Sequence, residues 1–213
     1  MATDKGILSK LMMRLHAPVY ASRERELVRR IAPHLKPGDH VLDVGCGTGS
    51  LGYAIQSSSA CPNVRVTGLE RTRRGQEFIP VIAYDGKVIP HGRGAFDVVI
   101  LADVLHHEPD PERLISECAR VSRRLVIIKD HKRDGPLAQK RISLLDWAAN
   151  APRAVPCLFR YNTLSEWRAC HRRNGLVLAQ ELESMRLYPQ PYQALLGGRL
   201  HYFAVLEVGE TIA

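Results

Sequence analysis

The sequence predicts an α/β fold, a doubly wound and mostly parallel sheet, and three observations lead there. Apolar strand-like runs alternate with helix-like segments through the middle of the chain. One such run, His40-Val-Leu-Asp-Val44, passes straight into Gly45-Cys-Gly47-Thr-Gly49-Ser50, where glycines let a backbone turn sharply and approach a ligand closely. Acidic residues then stand at the ends of three successive runs: Asp43, Glu70 and Asp85. In open α/β sheets ligands bind at the carboxyl edge of the strands, where such acids would meet them.

Each element has its own local reason. Ile7, Leu8, Leu11, Met12 and Leu15 recur at helical spacing, with Lys5, Lys10 and Arg14 between them, until Pro18 interrupts. A second helical stretch from Ser22 to about His34 ends at the breaker Lys36-Pro37-Gly38-Asp39. Strands are expected at Val41–Val44, Val64–Leu69, Val81–Tyr84, Phe96–Ala102 and Leu125–Lys129. Asp110-Pro111-Glu112 starts a helix with an N-cap aspartate, a proline at the first position and an acid in the first turn; it should run to about Val121. Thr163-Leu-Ser-Glu166 is a capping box, and Asn174-Gly175 is its stop. Leu176–Glu183 and Leu200–Val208 read as two final strands. Only Arg71–Pro80 joins the second and third strands, whereas a parallel crossover usually takes a dozen or more residues, so a helix there is very short or absent.

The string VLDVGCGTGSLG, with Glu70 and Asp85-Gly86 behind it, resembles the class I S-adenosylmethionine-dependent methyltransferases, most clearly over residues 36–130. VLHHEPDP (Val104–Pro111) is similar to a segment of the small-molecule members. The resemblance implies a Rossmann-like doubly wound sheet of seven strands, mostly parallel, with the last antiparallel. One methyltransferase domain is expected over residues 1–213: N-terminal cap helices at 1–36, the cofactor-binding core at 37–131, and a substrate-side segment with the final strands at 132–213.

S-adenosyl-L-methionine is therefore the expected cofactor. Asp43, Gly45, Gly47 and Gly49 would meet its amino-acid and ribose portions, with Asp43 an acceptor for the ammonium. Glu70 would accept the ribose hydroxyls, as carboxylates do in dinucleotide sites. The resemblance places Asp85 and Gly86 beside the adenine, and Leu101 to Asp103 along the far side. NAD is the structural competitor, but Ser50 stands where the third glycine of G-x-G-x-x-G would be.

The sulfonium already activates the methyl group, so the protein must place a nucleophile in line and remove its proton. His107, Asp130 and His131 are the candidate catalytic residues, with His106 a further histidine in the same segment; Asp130 could raise the basicity of the adjacent imidazole. Asp103, His106 and His107, at i, i+3 and i+4, are similar to the Glu-x-x-Glu-His segment of metal-assisted quinone O-methyltransferases, with Asp and His replacing both glutamates. Val-Leu-His-His also occurs in relatives without metal, and no metal is expected. Leu144–Asn162 and Tyr188–Gly198 are the two lid candidates, aromatic enough to suit a planar or hydrophobic small molecule.

Composition bounds the alternatives. The chain has 213 residues, 45% hydrophobic, with no run near the length of a membrane span and no convincing secretory signal, so the cytoplasm is expected. Its five cysteines have neither C-x-x-C pairing nor metal-ligand spacing; Pro156-Cys157 is read as a coincidental likeness to the nucleophile of cytosine methyltransferases. The net charge of +8 comes from two segments, 1–36 with eight Lys/Arg against three acids and 120–141 with eight against two. Such clusters suit nucleic acid or an anionic membrane surface, but a solvated basic face is the simpler reading. A small-molecule methyltransferase with oxygen as the favoured acceptor is the expected function. An RNA or other nucleic-acid methyltransferase and a non-catalytic S-adenosylmethionine-binding protein are the alternatives.

Overall fold

The computed structural model describes residues 19–150 and 157–209. The amphipathic stretch expected at Ile7–Leu15, the break at Pro18 and Pro156 lie outside the described residues.

Strands β1 (His40–Val44), β2 (Arg65–Glu70), β3 (Val81–Ala83), β4 (Phe96–Ala102), β5 (Ser122–His131), β6 (Leu176–Leu182) and β7 (His201–Val208) form one seven-stranded sheet in the order β3-β2-β1-β4-β5-β7-β6. The first five pair in parallel, and β7 runs antiparallel to both β5 and β6, as the resemblance implies. The chain steps outward from β1 to β3 and then returns to place β4 on the other side of β1. The strand order therefore reverses between β1 and β4, and sheets of this kind take their ligands in the crevice at the carboxyl ends of such a switch point.

Alternation along the strands feeds two cores. Leu42, Val44, Val99, Leu101, Val126 and Ile128 face one side, packed under α3 (Pro111–Val121) and α5 (Leu164–Arg173). Val41, Val98, Ile100, Leu125 and Ile127 face the other, under helix α1 (residues 19–31) and α2 (Ser50–Gln56). Each such side chain, fully buried, contributes roughly 1.5–3 kcal/mol. Helices on both faces are what make these strands near-continuous apolar runs.

The caps form as the sequence predicts. The Asp110 carboxylate accepts the Arg113 N–H at 3.1 Å with Pro111 at the first helical position, and Thr163 and Glu166 complete a reciprocal capping box. No helix lies between β2 and β3, which the short Arg71–Pro80 link requires. Instead Phe78 N–H donates to Thr48 O at 2.9 Å and Ile79 is buried against the glycine loop. Sequence reading misses α4 (Ala138–Asn150). Its pattern has no clean apolar stripe: Leu144 and Trp147 are exposed, while Ile142 and Asp146 are buried. No helix among the described residues is long and apolar enough to cross a membrane.

Candidate functional site

The glycine turn leaves β1 at the crevice. Gly45, Gly47 and Gly49 all take positive φ, at 68°, 60° and 77°. Two of them also have no room for a side chain: a Cβ on Gly45 would lie 2.6 Å from Val104 Cγ2, and one on Gly49 would collide with Ile79. Gly47 differs, with nothing nearer than Arg74 at 3.9 Å, so its backbone faces open space. Its N–H donates to Glu70 Oε2 at 2.8 Å, which ties the tip of the loop to the end of β2.

Asp43 lies under this loop. It is buried, and its Oδ2 has no hydrogen-bond partner among the described residues. Burial, with Glu70 nearby, pushes its carboxyl up to about 7, against the opposing pull of Arg23. A carboxylate in that condition suits a cationic group arriving from outside, and an open glycine backbone beside a strand-end glutamate suits a ribose. The edge thus fits a ligand with an ammonium and a nucleoside. Asp85 is exposed, and its Oδ1 accepts the N–H groups of Lys87 and Val88 at 2.7 and 3.2 Å. Arg71 crosses Gly86 to reach Glu108 Oε2 at 2.5 Å, walling that side. Leu101 is fully buried in the core, so its side chain does not line the crevice, and only its backbone is left to do so.

The ends of β4 and β5 carry charged and aromatic side chains instead. Asp103 sits at φ 62°, a conformation Asp tolerates better than most residues. Its Oδ2 accepts Arg23 Nε and Nη2 at 2.9 and 2.6 Å, and its Oδ1 pairs with Lys129. Although burial opposes it, Lys129 and Arg23 hold the Asp103 carboxyl well below the usual carboxylate range. Burial pushes Lys129 down, with the second cation, Arg23, adding to it.

Asp130 does not serve His131 as expected. Successive residues of a strand point to opposite faces, so the two side chains separate. Asp130 Oδ2 accepts Leu105 N–H at 2.9 Å and Oδ1 meets His106 Nδ1 at 2.6 Å, inside the 3₁₀ turn Leu105–His107. Burial works against a charge on His106, but Asp130 and then Asp146 outweigh it and push the imidazole up to about 10. His131 shares its face with Lys129; burial and that cation hold it well below the usual histidine value. Its ring lies 5.2 Å from that of His201, because antiparallel β7 begins at this edge and pairs His131 with His201.

Asp146 of α4 closes the cluster. Its Oδ1 lies 3.6 Å from His106 Nε2 and 3.7 Å from His107 Nε2, and its Oδ2 accepts the Tyr161 hydroxyl at 2.8 Å. Of the residues expected to act, His107 and Asp130 meet around His106, and His131 faces Asp103, Lys129 and His201 while its ring lies 4.9 Å from that of His106, so the two groups adjoin. Asp103 turns away from His106 and His107 as a potential fellow ligand. Arg23 and Asp146 escape sequence reading because their roles depend on partners 80 and 40 residues distant. Trp167 is core, stacked 5.3 Å from Tyr202, whereas Trp147 is exposed.

Known proteins agree with this picture. Residues 14–181, well over half of the chain, match the family described as "Methyltransferase domain". The ubiquinone biosynthesis O-methyltransferase of Coxiella burnetii is 32% identical over 93 residues, covering 38% of each chain. The 27-O-demethylrifamycin SV methyltransferase of Amycolatopsis mediterranei is 34% identical over 102 residues, covering 42% of this chain and 36% of that protein. This chain thus spans well under half the length of either relative. A SAM-dependent methyltransferase from Aquifex aeolicus shares the fold at a TM-score of 0.59 and 15% identity, covering 94% of this chain and 98% of that one. With its sheet order and glycine loop in agreement with that match, the chain belongs to the class I S-adenosylmethionine-dependent methyltransferases.

Proposed function

We propose that this enzyme methylates an oxygen of a small, hydrophobic or aromatic metabolite. The observation that carries the reading is the histidine–carboxylate cluster at the ends of β4 and β5, adjoining the glycine loop and lined by Tyr161 and Tyr188. A distant relative named as an O-methyltransferase, and another named for a 27-O-demethyl substrate, support oxygen as the acceptor.

In this reading Asp43, Gly45, Gly47, Gly49 and Glu70 hold the amino-acid and ribose parts of S-adenosylmethionine. Asp85 and Gly86 border the adenine, and Asp103 with the Leu101 backbone closes the far side. The bound cofactor supplies an electrophilic methyl group. The protein then positions the acceptor and takes its proton. His107 is the member of the cluster with part of its side chain exposed, and it accepts that proton. Asp130 is a positioning residue, acting through His106 and the turn that carries His107. His131, held neutral, borders the acceptor without a charge.

A nucleic-acid substrate is disfavoured by how the basic residues are spent. In the 120–141 segment Arg120 pairs with Glu117, Arg123 with Asp97, Arg124 with Asp39, Lys129 with Asp103 and Arg133 with Glu166. These cations answer internal acids.

Calorimetry should show binding of S-adenosylmethionine and S-adenosylhomocysteine but little of NAD. With methyl-labelled cofactor, label should pass to phenolic or other hydroxylated small molecules and not to RNA. Absence of cofactor binding, or salt-sensitive transfer to RNA, overturns the proposal.

A further inference from the structure

We infer that His106, His107 and Asp146 form a binding site for a single divalent transition-metal ion. The three ligand atoms, one from each residue, lie within 4.8 Å of one another. The Asp146 Oδ1 separations of 3.6 and 3.7 Å from the two Nε2 atoms are too long for hydrogen bonds. They are close to what a shared metal sets: ligand bonds of about 2.0–2.2 Å in tetrahedral array put neighbouring ligand atoms about 3.3–3.6 Å apart.

The surroundings are those of a metal site as well. A ligating histidine ordinarily donates its other ring N–H to a carboxylate, which fixes the ring and raises its basicity. Asp130 Oδ1 stands 2.6 Å from His106 Nδ1 and fills that role. A ligating carboxylate is in turn hydrogen-bonded, and Tyr161 donates to the other oxygen of Asp146 at 2.8 Å. His106 and Asp146 are buried and held from behind, while His107 is partly exposed and leaves a way in.

This ligand set is not the one suggested by the spacing of Asp103, His106 and His107. Asp103 is taken up by Arg23 and Lys129, and α4 brings the carboxylate from elsewhere in the chain. Two imidazoles and one carboxylate suit Zn²⁺, Co²⁺ or Fe²⁺ better than Mg²⁺ or Ca²⁺, which prefer oxygen. Three protein ligands leave a position open to water or to an oxygen of another molecule at the acceptor end of the crevice. The assignment does not depend on which acceptor is methylated; an ion on His107 Nε2 would occupy the lone pair by which that ring accepts a proton, so metal-bound and proton-accepting His107 are alternative states of the site.

The full chain, stripped with chelator and without cofactor or acceptor, is titrated with Co²⁺ by visible absorption and with Zn²⁺ and Mg²⁺ by calorimetry. One Co²⁺ or Zn²⁺ per chain is expected, bound at least tenfold more tightly than Mg²⁺. His107→Ala and Asp146→Asn should each weaken Zn²⁺ binding by 10-fold or more, with circular dichroism establishing that each variant is folded. Asp130→Asn should weaken it about 10–100-fold, as loss of an outer partner does. Failure of the wild type to bind one ion, or unchanged binding in folded His107→Ala and Asp146→Asn, overturns the inference and leaves His106 as a cation held between Asp130 and Asp146. Methyl transfer is measured separately, so loss of the metal site and loss of the proposed activity are told apart.

Discussion

On the β1–β2 side of the carboxyl edge, the site is built mainly from backbone. Ten contiguous residues, from Val41 to Ser50, form the end of a strand, the turn and the start of a helix, and Glu70 fastens the turn from the next strand. On the β4–β5 side it is built from side chains. There α1 supplies Arg23, the 3₁₀ turn His106 and His107, β5 Lys129 and Asp130, α4 Asp146 and β7 His201. The first side depends on what the chain can do locally, where a missing Cβ decides the conformation. The second depends on charges that are tolerable only because distant partners reach them, and it should fail differently when disturbed.

The largest expected effect tests the charge-built side. Asp130→Ala removes the acceptor of Leu105 N–H and leaves a buried His106 without its nearest counter-charge. Breaking a buried pair in this way costs about 3–5 kcal/mol. Urea unfolding measures it, and a loss below about 1 kcal/mol would mean that Asp130 does not hold the turn.

The backbone-built side should separate two glycines. Gly49→Ala combines a positive φ with a collision against Ile79 and should cost about 2–4 kcal/mol, with S-adenosylmethionine binding lost. Gly47→Ala meets no protein atom closer than 3.9 Å, so only the φ penalty of about 1–2 kcal/mol applies. Its Tm should drop by a few degrees, yet its cofactor affinity should still fall, because the added methyl occupies the open face. Equal Tm losses for the two would erase the distinction between a packed and an open glycine.

The smallest effect is a gain. Asp43 titrates at about 7 in the fold against an ordinary 3.8, so its ionisation opposes folding. That penalty is absent below pH 4, grows as pH rises, and is complete above about 7. Asp43→Asn should therefore be near neutral for stability at pH 4 and stabilising at pH 8, while weakening cofactor binding. Denaturant curves at the two pH values check the sign. A variant that is less stable at pH 8 would show that Gly52 N–H and Arg23 already offset the burial of Asp43 in the free protein.

What could be read in advance follows the same division. The expected strand Val41–Val44 becomes His40–Val44 and Phe96–Ala102 is unchanged, because alternating burial on two covered faces is written residue by residue. Leu125–Lys129 becomes Ser122–His131, since its far end is lengthened by pairing with β7, a strand more than seventy residues later. The Asp110 and Thr163 caps are legible because each is completed within four residues. α4 is not legible, since the residue it most needs to bury, Asp146, is polar and is satisfied by Tyr161 and the histidines.

The sequence by itself determined the strands, the caps and the glycine turn, because periodicity, capping and the need for positive φ are properties of neighbouring residues, and the resemblance carried by that turn implied the cofactor and the order of the sheet. Tertiary structure alone decided that Asp130 serves His106 rather than His131, that Asp103 belongs to Arg23 and Lys129, and that Asp146 faces the two histidines. A buried charge takes its partner from whatever the fold brings within a few ångströms, and nothing in local spacing names that partner.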